Sequence, residues 1–364
     1  MTQAGGRIEF RNVQKLYGDM AAVEKFNAVI EPGSFVTLLG ASGSGKTTLL
    51  NMLAGFIEPT DGDILLDGRS IVSMKPEARN IGMVFQNYSL FPHMNVQQNV
   101  GFPLRMRKIA KSEADQKVMK ALEAVQLSTF AQRMPRELSG GQQQRVAVAR
   151  AISFGPRVLL MDEPLGALDL KLRESLQYEI KRIQRETGST VVYVTHDQSE
   201  AMSMSDEIII LSGGRLVQRG TPRKIYDEPV DGFVASFVGH CNKSRVSIRE
   251  NRLFADDWGI GMSGIEANRL SSQGQDFVAV ARPEKISLKP ASYHPADQEI
   301  AVNVSVDNVQ MMGNNLMVYL KTENKSNILA QIFRTSENIS DELLQIGGKI
   351  KAKISNSDIS ILRK

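Results

Sequence analysis

The stretch SFVTLLGASGSGKTTLLNMLAG, residues 34–55, decides the fold of this chain. An apolar run ends at Leu39, the segment from Gly40 to Thr47 matches the pattern GxxxxGK[ST], and leucines at helical spacing follow. A strand, a glycine-rich loop and a helix in this order are the context in which this pattern binds phosphate. A chance glycine-rich turn is the alternative, but it requires neither flanking element. The stretch therefore predicts an α/β domain that binds a nucleotide.

The glycine-rich loop is expected to supply the phosphate contacts. Its glycines let backbone N–H groups converge on phosphate oxygens, and the positive end of the following helix dipole adds to the attraction. We expect Lys46 to reach the β- and γ-phosphates of ATP, and the Thr47 hydroxyl to hold Mg²⁺. The residues of this loop predicted to bind the nucleotide are Gly40, Ser42, Gly43, Ser44, Gly45, Lys46, Thr47 and Thr48.

Two carboxylates follow a second apolar run, in PRVLLMDEP at residues 156–164. A buried strand that ends in Asp162 and Glu163 places both at the sheet edge where open α/β folds bind ligands. This position predicts that Asp162 binds Mg²⁺ and that Glu163 polarises the attacking water. An ordinary acidic strand cap is the alternative, although a metal site at this edge already requires a carboxylate.

A second anion-binding loop is predicted within RELSGGQQQRVAVARA, residues 136–151. Ser139 is a favoured helix N-cap, and Gly140 and Gly141 remove side chains from the first turn of the helix that follows. One copy of the chain has no use for two such loops on the same γ-phosphate, whereas two copies arranged head to tail can use both loops. The pattern therefore favours a homodimer.

The residues LSGGQ, 138–142, resemble the signature of the ATP-binding-cassette ATPases. The resemblance covers residues 7–240 and implies that the signature of each subunit closes over the ATP of the other. The signature residues implied to contact nucleotide are Ser139, Gly140, Gly141 and Gln142.

Four further residues match this family in the expected order. The resemblance implies that Tyr17 stacks on adenine, that Gln86 senses Mg²⁺ and the attacking water, and that His196 contacts the γ-phosphate. It also implies that Asp169, in GALD, crosses the dimer interface, although the family more often has serine where Gly166 stands. Alone, Tyr17 is better explained as a packed aromatic and His196 as a core or capped histidine. The full set of expected catalytic residues is Glu163, His196 and Gln86, and that of metal ligands is Thr47, Gln86 and Asp162.

Charge and spacing argue against a nucleic-acid partner. The net charge of +4 is shared evenly between residues 1–240 and 241–364, whereas a nucleic-acid footprint normally concentrates its excess on one element. The interval between Lys46 and Ser139 is too short for the coiled coil that DNA-repair relatives insert there. We therefore expect no binding of nucleic acid.

A membrane partner is expected at FQNYSLFPHMNVQQNVGFPLRMR, residues 85–107. Its apolar residues either pack within the domain or form a groove for an amphipathic helix of another chain. In the resembled family, this region, at about residues 86–103 here, receives the coupling helix of a transmembrane subunit. The resemblance implies two permease subunits, fed by an extracytoplasmic solute-binding protein. The apolar residues in question are Tyr88, Leu90, Phe91, Met94, Val96 and Phe102.

The chain itself is not expected to cross a membrane. Its longest apolar runs, such as IIIL at residues 208–211, are far shorter than the roughly 20 residues that span a bilayer. Its first residues lack the basic and then apolar pattern of a signal peptide. We expect a peripheral protein at the cytoplasmic face of the inner membrane.

Residues 241–364 predict a small all-β, OB-like barrel domain. Period-two alternation recurs in five segments, from FVAVARPEKISL to KIKAKISNSDISIL. The run ARPEKISL resembles the barrel appended to importer ATPases for polyamines, sugars, sulfate and iron. Nucleic-acid binding is the alternative, but it requires clustered aromatic residues. We expect a regulatory and dimerising domain in which Met311 and Met312 pack inside the barrel.

The sequence as a whole predicts an α/β P-loop cassette, residues 1–240, with a helical subdomain at about 88–155, followed by the barrel at 241–364. Its function is predicted as ATP hydrolysis that powers import of a small solute. The wording of RNIGMVFQNYSLFPHM, residues 79–94, looks closest to polyamine-type importers. Sugar, phosphonate or iron cargo remains the alternative, and an ATPase linked to nucleic acid is the rival class.

Overall fold

The computed structural model describes residues 5–166, 170–249, 252–262, 276–334 and 341–364. The chain divides into two compact units, Met1–Ile225 and Tyr226–Lys364. The division precedes the boundary expected from the sequence after residue 240, and that boundary stays a prediction.

The first unit mixes strands and helices. In chain order, its described strands are β1 (Ile8–Tyr17), β2 (Met20–Ile30), β3 (Phe35–Leu39), β4 (Asp61–Leu66), β5 (Arg69–Ser70), β6 (Ile81–Val84), β7 (Val158–Asp162), β8 (Thr190–Thr195), β9 (Glu207–Ser212) and β10 (Arg215–Gly220). The helices are α1 (Lys46–Ala54), α2 (Val96–Met106), α3 (Lys111–Ala124), α4 (Gly140–Ile152), α5 (Leu170–Thr187), α6 (Gln198–Met204) and α7 (Pro222–Asp227), the last of which crosses the division between the units.

A largely parallel sheet positions the loops that follow its strands. Its order is β10-β9-β3-β8-β7-β6, and β3, β8, β7 and β6 pair in parallel. Every residue of β3 and β8 is buried, because both faces of a parallel sheet are covered. The carboxyl ends of these four strands lie side by side, so the segments that follow them start at one edge of the sheet.

A second sheet, in the order β2-β1-β4-β5, shares a core with α1. The rings of Phe10 and Phe26 meet edge to face with their centroids 5.2 Å apart. Leu50 and Leu53 of α1 are completely buried in the same core. This packing fixes the direction of α1 and of the glycine-rich loop in front of it.

A buried guanidinium holds the carboxyl end of α1. Arg79 is 3% exposed, and its Nη1 donates to the carbonyl oxygens of Met52 and Leu53 at 2.7 and 2.9 Å. Its Nε donates to Met74 O at 2.9 Å and its Nη2 to Val72 O at 3.1 Å. Arg79 therefore satisfies carbonyl groups that the helix end leaves without an intrahelical donor.

Helices α2, α3 and α4 share a core with α5 and one face of the parallel sheet. Val96, Val100 and Leu104 recur at every fourth position of α2 and are completely buried, which is the stripe of a core-facing helix. Asn95 begins α2 with a capping box, in which its side chain accepts from the backbone N–H of Gln98 at 2.8 Å.

The second unit is almost entirely β-structure, as the alternation predicts. Its strands are β11 (Asn242–Arg249), β12 (Arg252–Ala255), β13 (Ile260–Met262), β14 (Phe277–Ala281), β15 (Ser287–Pro290), β16 (Glu299–Met312), β17 (Asn315–Thr322), β18 (Asn327–Phe333), β19 (Lys349–Ser355) and β20 (Ile359–Arg363), with the short helix α8 (Gly232–Phe237) in front of them. The sheet orders are β13-β12-β11-β14-β20 and β15-β19-β16-β17-β18, and one core cluster is shared between them.

The run that resembled the appended barrel contacts the first residues of this unit. Arg282, from ARPEKISL, donates to Ala235 O at 2.9 Å and to Tyr226 O at 3.0 Å, and its guanidinium lies 4.0 Å from the centre of the Tyr226 ring. The Tyr226 hydroxyl donates to Glu284 at 2.8 Å. Burial, together with this bond, raises the pKa of Tyr226 to about 12. The hydroxyl therefore remains a donor throughout the physiological range.

The expectation that Met311 and Met312 pack inside the barrel is wrong. Their side chains are 60% and 56% exposed. β19 covers β16 only from Glu299 to Ser305, so the last residues of β16 pair with β17 alone and form the tip of a hairpin. Both methionines therefore lie beyond the part of β16 that β19 covers.

Candidate functional site

The glycine-rich loop has a backbone that other residues cannot adopt without strain. Gly45, the N-cap of α1, has a φ of 97°, and a Cβ there would lie 2.5 Å from Ala22 O. A Cβ on Gly40 would lie 2.5 Å from Leu211 O. Among the described residues, no side chain caps α1, so the N–H groups of its first turn face outward as anion donors.

Lys46 lies against this loop and is 4% exposed. Its Nζ donates to Gly40 O at 2.8 Å and to Ala41 O at 2.9 Å. Burial lowers the pKa of Lys46, and the charges of Glu163 and Asp162 oppose that shift. The ammonium is thus held at the mouth of the loop, where the sequence predicted a phosphate contact.

Two of the three predicted protein ligands of Mg²⁺, Thr47 and Asp162, are brought together. The Thr47 hydroxyl at the start of α1 donates to Asp162 Oδ1 at the end of β7, at 3.2 Å. Burial raises the pKa of Asp162, and the bond from Thr47 opposes the shift. A hydroxyl and a carboxylate fit Mg²⁺, which prefers oxygen ligands and takes few of them from the protein.

The three predicted catalytic side chains also meet. Glu163 Oε1 lies 3.1 Å from His196 Nδ1, and Gln86 Nε2 donates to Glu163 Oε2 at 3.3 Å. These residues follow β7, β8 and β6, which are neighbours in the sheet. Glu163 has a φ of 42°, a left-handed conformation that costs a non-glycine residue about 1–3 kcal/mol. Such strain is typical of residues whose position matters for function.

A buried network that was not predicted from the sequence holds Thr195 and Asp197, the residues on either side of His196. Glu200 is 2% exposed and accepts the hydroxyls of Tyr193 and Thr195, each at 2.8 Å. Burial raises the pKa of Glu200. Arg173 Nη1 lies 2.9 Å from the carboxylate of Asp197, which caps α6. The sequence signal was an aspartate followed three residues later by a glutamate, the pattern of a helix start.

The signature forms its own closed turn at the start of α4. Ser139 Oγ accepts from Gln142 N at 3.4 Å, and Gln142 Oε1 accepts from Ser139 N at 2.9 Å. A Cβ on Gly141 would lie 2.6 Å from Leu172 Cδ2 of α5. In the described part of the chain, the hydrogen bonds of Ser139 and Gln142 stay within this turn, so the structure of one copy does not join the signature to the glycine-rich loop.

Two other predicted contacts of the nucleotide lie apart from this cluster. Tyr17 ends β1 with 47% of its surface exposed, and Lys15 Nζ lies 5.4 Å from the centre of its ring. The alternative of a packed aromatic is therefore wrong for Tyr17. Asp169 lies outside the described residues.

A phosphate-binding loop, a carboxylate pair at the sheet edge and a capped diglycine turn on a helical segment define an ATP-binding-cassette ATPase. The profile of the ABC transporter family matches residues 23–166, and that of the TOBE domain matches residues 279–361. The chain belongs to the ABC transporter family and is one of its ATP-hydrolysing components. The predicted fold class, a P-loop cassette followed by an all-β domain, is confirmed.

Curated relatives match along most of the chain. The spermidine/putrescine import ATP-binding protein PotA of Thermotoga maritima is 38% identical over 88% of this chain and 88% of its own length. PotA of Nitrosomonas eutropha is 48% identical over 77% of this chain and 78% of its own. PotA 2 of Pseudomonas aeruginosa is 44% identical over 87% of this chain and 88% of its own. The resemblance to polyamine-type importer ATPases is confirmed.

Solved structures match about three fifths of the chain. The dimeric post-hydrolysis state of the cassette MJ0796, bound to ADP and Pi, is 35% identical, with a TM-score of 0.54 over 59% of this chain and 99% of that one. The protein cbiO1 of Clostridium perfringens, part of the transporter complex cbiONQ, is 30% identical, with a TM-score of 0.57 over 61% of this chain and 90% of that one. In the described ranges, none of the helices combines the length and apolar character needed to span a bilayer.

Two glycines of the loop give a matched test of its steric limits. Gly45→Ala adds both left-handed backbone strain and a clash with Ala22 O. Gly43 also has a left-handed φ, of 78°, but a Cβ there would meet no atom within 4 Å, so Gly43→Ala adds the backbone strain alone. Left-handed strain costs about 1–2 kcal/mol. We therefore expect thermal unfolding without added nucleotide to start at a clearly lower temperature in Gly45→Ala than in Gly43→Ala. Equal unfolding temperatures would contradict the proposed clash.

Proposed function

We propose that this chain is the ATPase subunit of a polyamine importer. The observation that carries the proposal is its identity to the spermidine/putrescine import ATP-binding proteins across both units, with 38% identity over 88% of each chain in the Thermotoga maritima case. Sugar, phosphonate or iron cargo is the alternative. Cargo contacts other chains of an importer, so the cassette itself does not select it.

The site supports hydrolysis of the γ-phosphate of ATP. Lys46 and the first-turn N–H groups of α1 bind the phosphates, and Tyr17 offers an exposed ring to the adenine. Thr47 and Asp162, with Gln86 as the third predicted ligand, would hold Mg²⁺, which would neutralise phosphate charge when bound. The other residues of the loop assigned to nucleotide binding are Gly40, Ser42, Gly43, Ser44, Gly45 and Thr48.

Glu163 is the proposed general base. Its carboxylate orients the attacking water and accepts the proton that the water loses. Gln86 and His196 hold one carboxylate oxygen each, so both side chains fix the direction in which the base points. The left-handed backbone of Glu163 supports this assignment, because strain at one residue persists only where its surroundings enforce it.

Two copies are proposed to form the complete site. The signature turn presents Ser139 at the positive end of α4, where an anion is favoured, yet its hydrogen bonds within one copy stay in its own turn. Head-to-tail pairing would bring Ser139, Gly140, Gly141 and Gln142 to the γ-phosphate held by the other copy. Asp169 is proposed to contact the same interface.

The permease is proposed to dock on the segment of residues 86–103. Phe91 and Phe102 lie with their ring centroids 4.5 Å apart and are both partly exposed, as Met94 is. Val96, which the sequence placed with them, is completely buried in the core and belongs to no groove. Partly exposed aromatic and methionine side chains suit a helix laid into a groove.

The remaining assignments follow from the proposed role of the chain as a subunit of an importer. Two permease subunits would hold the ATPase at the inner face of the membrane, and a solute-binding protein would deliver cargo on the outer side. Residues 1–240 are proposed as the cassette, with the helical subdomain at about 88–155, and residues 241–364 as the regulatory and dimerising domain.

Replacing Glu163 tests the catalytic assignment. Glu163→Gln keeps the shape of the side chain but cannot accept a proton, so we expect the rate of hydrolysis to fall by about 10²-fold or more. The other contacts to ATP remain, so the closed dimer should accumulate in Mg-ATP. Steady-state hydrolysis by the full chain measures the first effect. The mass of residues 1–240, which lack the domain proposed to dimerise, measured by light scattering with and without Mg-ATP, measures the second.

Asp162→Asn is the matched control for Glu163→Gln. It neutralises the neighbouring carboxylate, so it should weaken Mg²⁺ binding and reduce the ATP-driven rise in mass. A Glu163→Gln protein that hydrolyses ATP at the wild-type rate would remove Glu163 from the role of base.

Mixing two inactive variants tests the shared site. Ser139→Arg blocks the signature, and Lys46→Ala weakens phosphate binding, so each homodimer should be inactive. A heterodimer of the two contains one site with both groups intact, and it should regain part of the wild-type hydrolysis rate. Heterodimers shown to form, yet no more active than the separate variants together, would indicate a site within one chain.

The cargo is tested by uptake in the source cells. Replacing the chromosomal gene by its Lys46→Ala form should abolish uptake of labelled spermidine or putrescine through this system, because hydrolysis drives transport. Uptake of sugars, phosphonates and iron should stay at the level of the parent strain. Normal polyamine uptake, with loss of one of the other solutes, would reassign the cargo.

A further inference from the structure

A buried arginine of α4 binds the backbone of the segment that follows β6. Arg150 is 8% exposed. Its Nη1 donates to Ser89 O at 2.7 Å and its Nη2 to Tyr88 O at 2.8 Å. The guanidinium also lies 5.6 Å from the centre of the Phe91 ring. Both arms of the fork are therefore used on consecutive carbonyl groups, a geometry that a point-like ammonium cannot reproduce.

The turn that Arg150 binds is strained. Tyr88 has a φ of 56° and Ser89 a φ of 46°, so two consecutive non-glycine residues are left-handed. The left-handed region is unfavourable for any residue that carries a Cβ. Such a turn persists only where the surrounding structure enforces it. The two bonds from Arg150 meet the carbonyl groups of these same two residues.

The rest of the segment is held by a different helix. Asn99 of α2 is completely buried, and its side chain accepts from Phe91 N at 2.9 Å and donates to Met94 O at 2.9 Å. Asn99 thus ties the later part of the segment to α2, whereas Arg150 ties the turn at Tyr88 and Ser89 to α4.

The two ends of this connection are both parts of the proposed site. The turn lies two residues after Gln86, whose amide donates to Glu163 at 3.3 Å. Arg150 lies in the last turn of α4, the helix that Ser139 caps. The eleven positions between Ser139 and Arg150 correspond to about 16 Å along the helix axis. One bidentate contact therefore joins the segment behind the catalytic carboxylate to the helix that carries the signature.

We propose that Arg150 is a positioning residue that makes the turn at Tyr88 and Ser89 move as one body with α4. The position of Gln86 relative to Ser139 is then fixed. This inference rests on the proposed function, in which Gln86 acts on the nucleotide of its own copy and Ser139 on that of the other. The contact would then couple the two nucleotide sites of a dimer to each other. It would also couple the segment of residues 86–103, proposed to face the permease, to both sites.

Arg150→Lys in the full-length chain tests the proposal, because lysine keeps the charge and the stem but lacks the fork. We expect the KM for Mg-ATP to change by no more than about twofold, since the phosphate contacts are untouched. The kcat should fall by about ten- to hundred-fold, the cost of a misplaced catalytic group. Backbone hydrogen exchange at residues 87–91 should become faster, while that of α4 stays at the wild-type rate.

Arg79→Lys is the matched control, since Arg79 is equally buried and also binds backbone carbonyl groups, but none in the turn. It should lower the unfolding temperature and leave kcat within about twofold of the wild-type value. A similar loss of kcat in both variants would overturn the proposal, because general destabilisation would then explain it. So would an Arg150→Lys protein with wild-type kcat and wild-type exchange.

Arg150→Met serves if the lysine variant does not fold, because it keeps the stem and removes the buried charge. The same loss of kcat and faster exchange at residues 87–91 are expected. Failure of both Arg150 variants to fold, with Arg79→Lys folded, would make Arg150 a folding residue and overturn the proposal. A wild-type chain without ATPase activity would instead count against the proposed function, and hydrogen exchange would still report on Arg150.

Discussion

The parallel pairing of β6, β7, β8 and β3 is the constraint on which the rest of this structure depends. It brings the segments after four strands, distant in the chain, to one edge of a sheet. Gln86, Glu163 and His196 meet there because their strands are neighbours, and Thr47 meets Asp162 because the glycine-rich loop starts at the same edge. Changing the register of one strand by a residue would turn its side chains to the other face and separate the group.

Buried polar side chains, rather than further apolar packing, set the exact course of the loops around this edge. Glu200 holds the segment around His196, and Arg150 and Asn99 hold the segment after Gln86. A buried charge adds little to stability when its desolvation is counted. What it supplies is direction, because a hydrogen bond has a required geometry and an apolar contact does not.

The local structures that the sequence predicted depend on short stretches. The interval from Leu39 to Thr47 shapes the loop through bonded geometry and glycine conformation. Alternation at period two identified the strands of the second unit for the same reason, since a strand's two faces follow from neighbouring residues. The signature turn at Ser139 is likewise a local capping pattern, complete within four residues.

The sequence by itself therefore determined the glycine-rich loop between β3 and α1, the strand that ends in two carboxylates, the capped turn at Ser139 and the order of α/β and all-β units. Only the tertiary structure decided that Arg150 binds the turn after Gln86 and that Val96 belongs to the core rather than to a groove. It also decided that Met311 is exposed at a hairpin tip. The physical reason is the same in each case: contacts between residues far apart in the chain leave no periodic pattern along it.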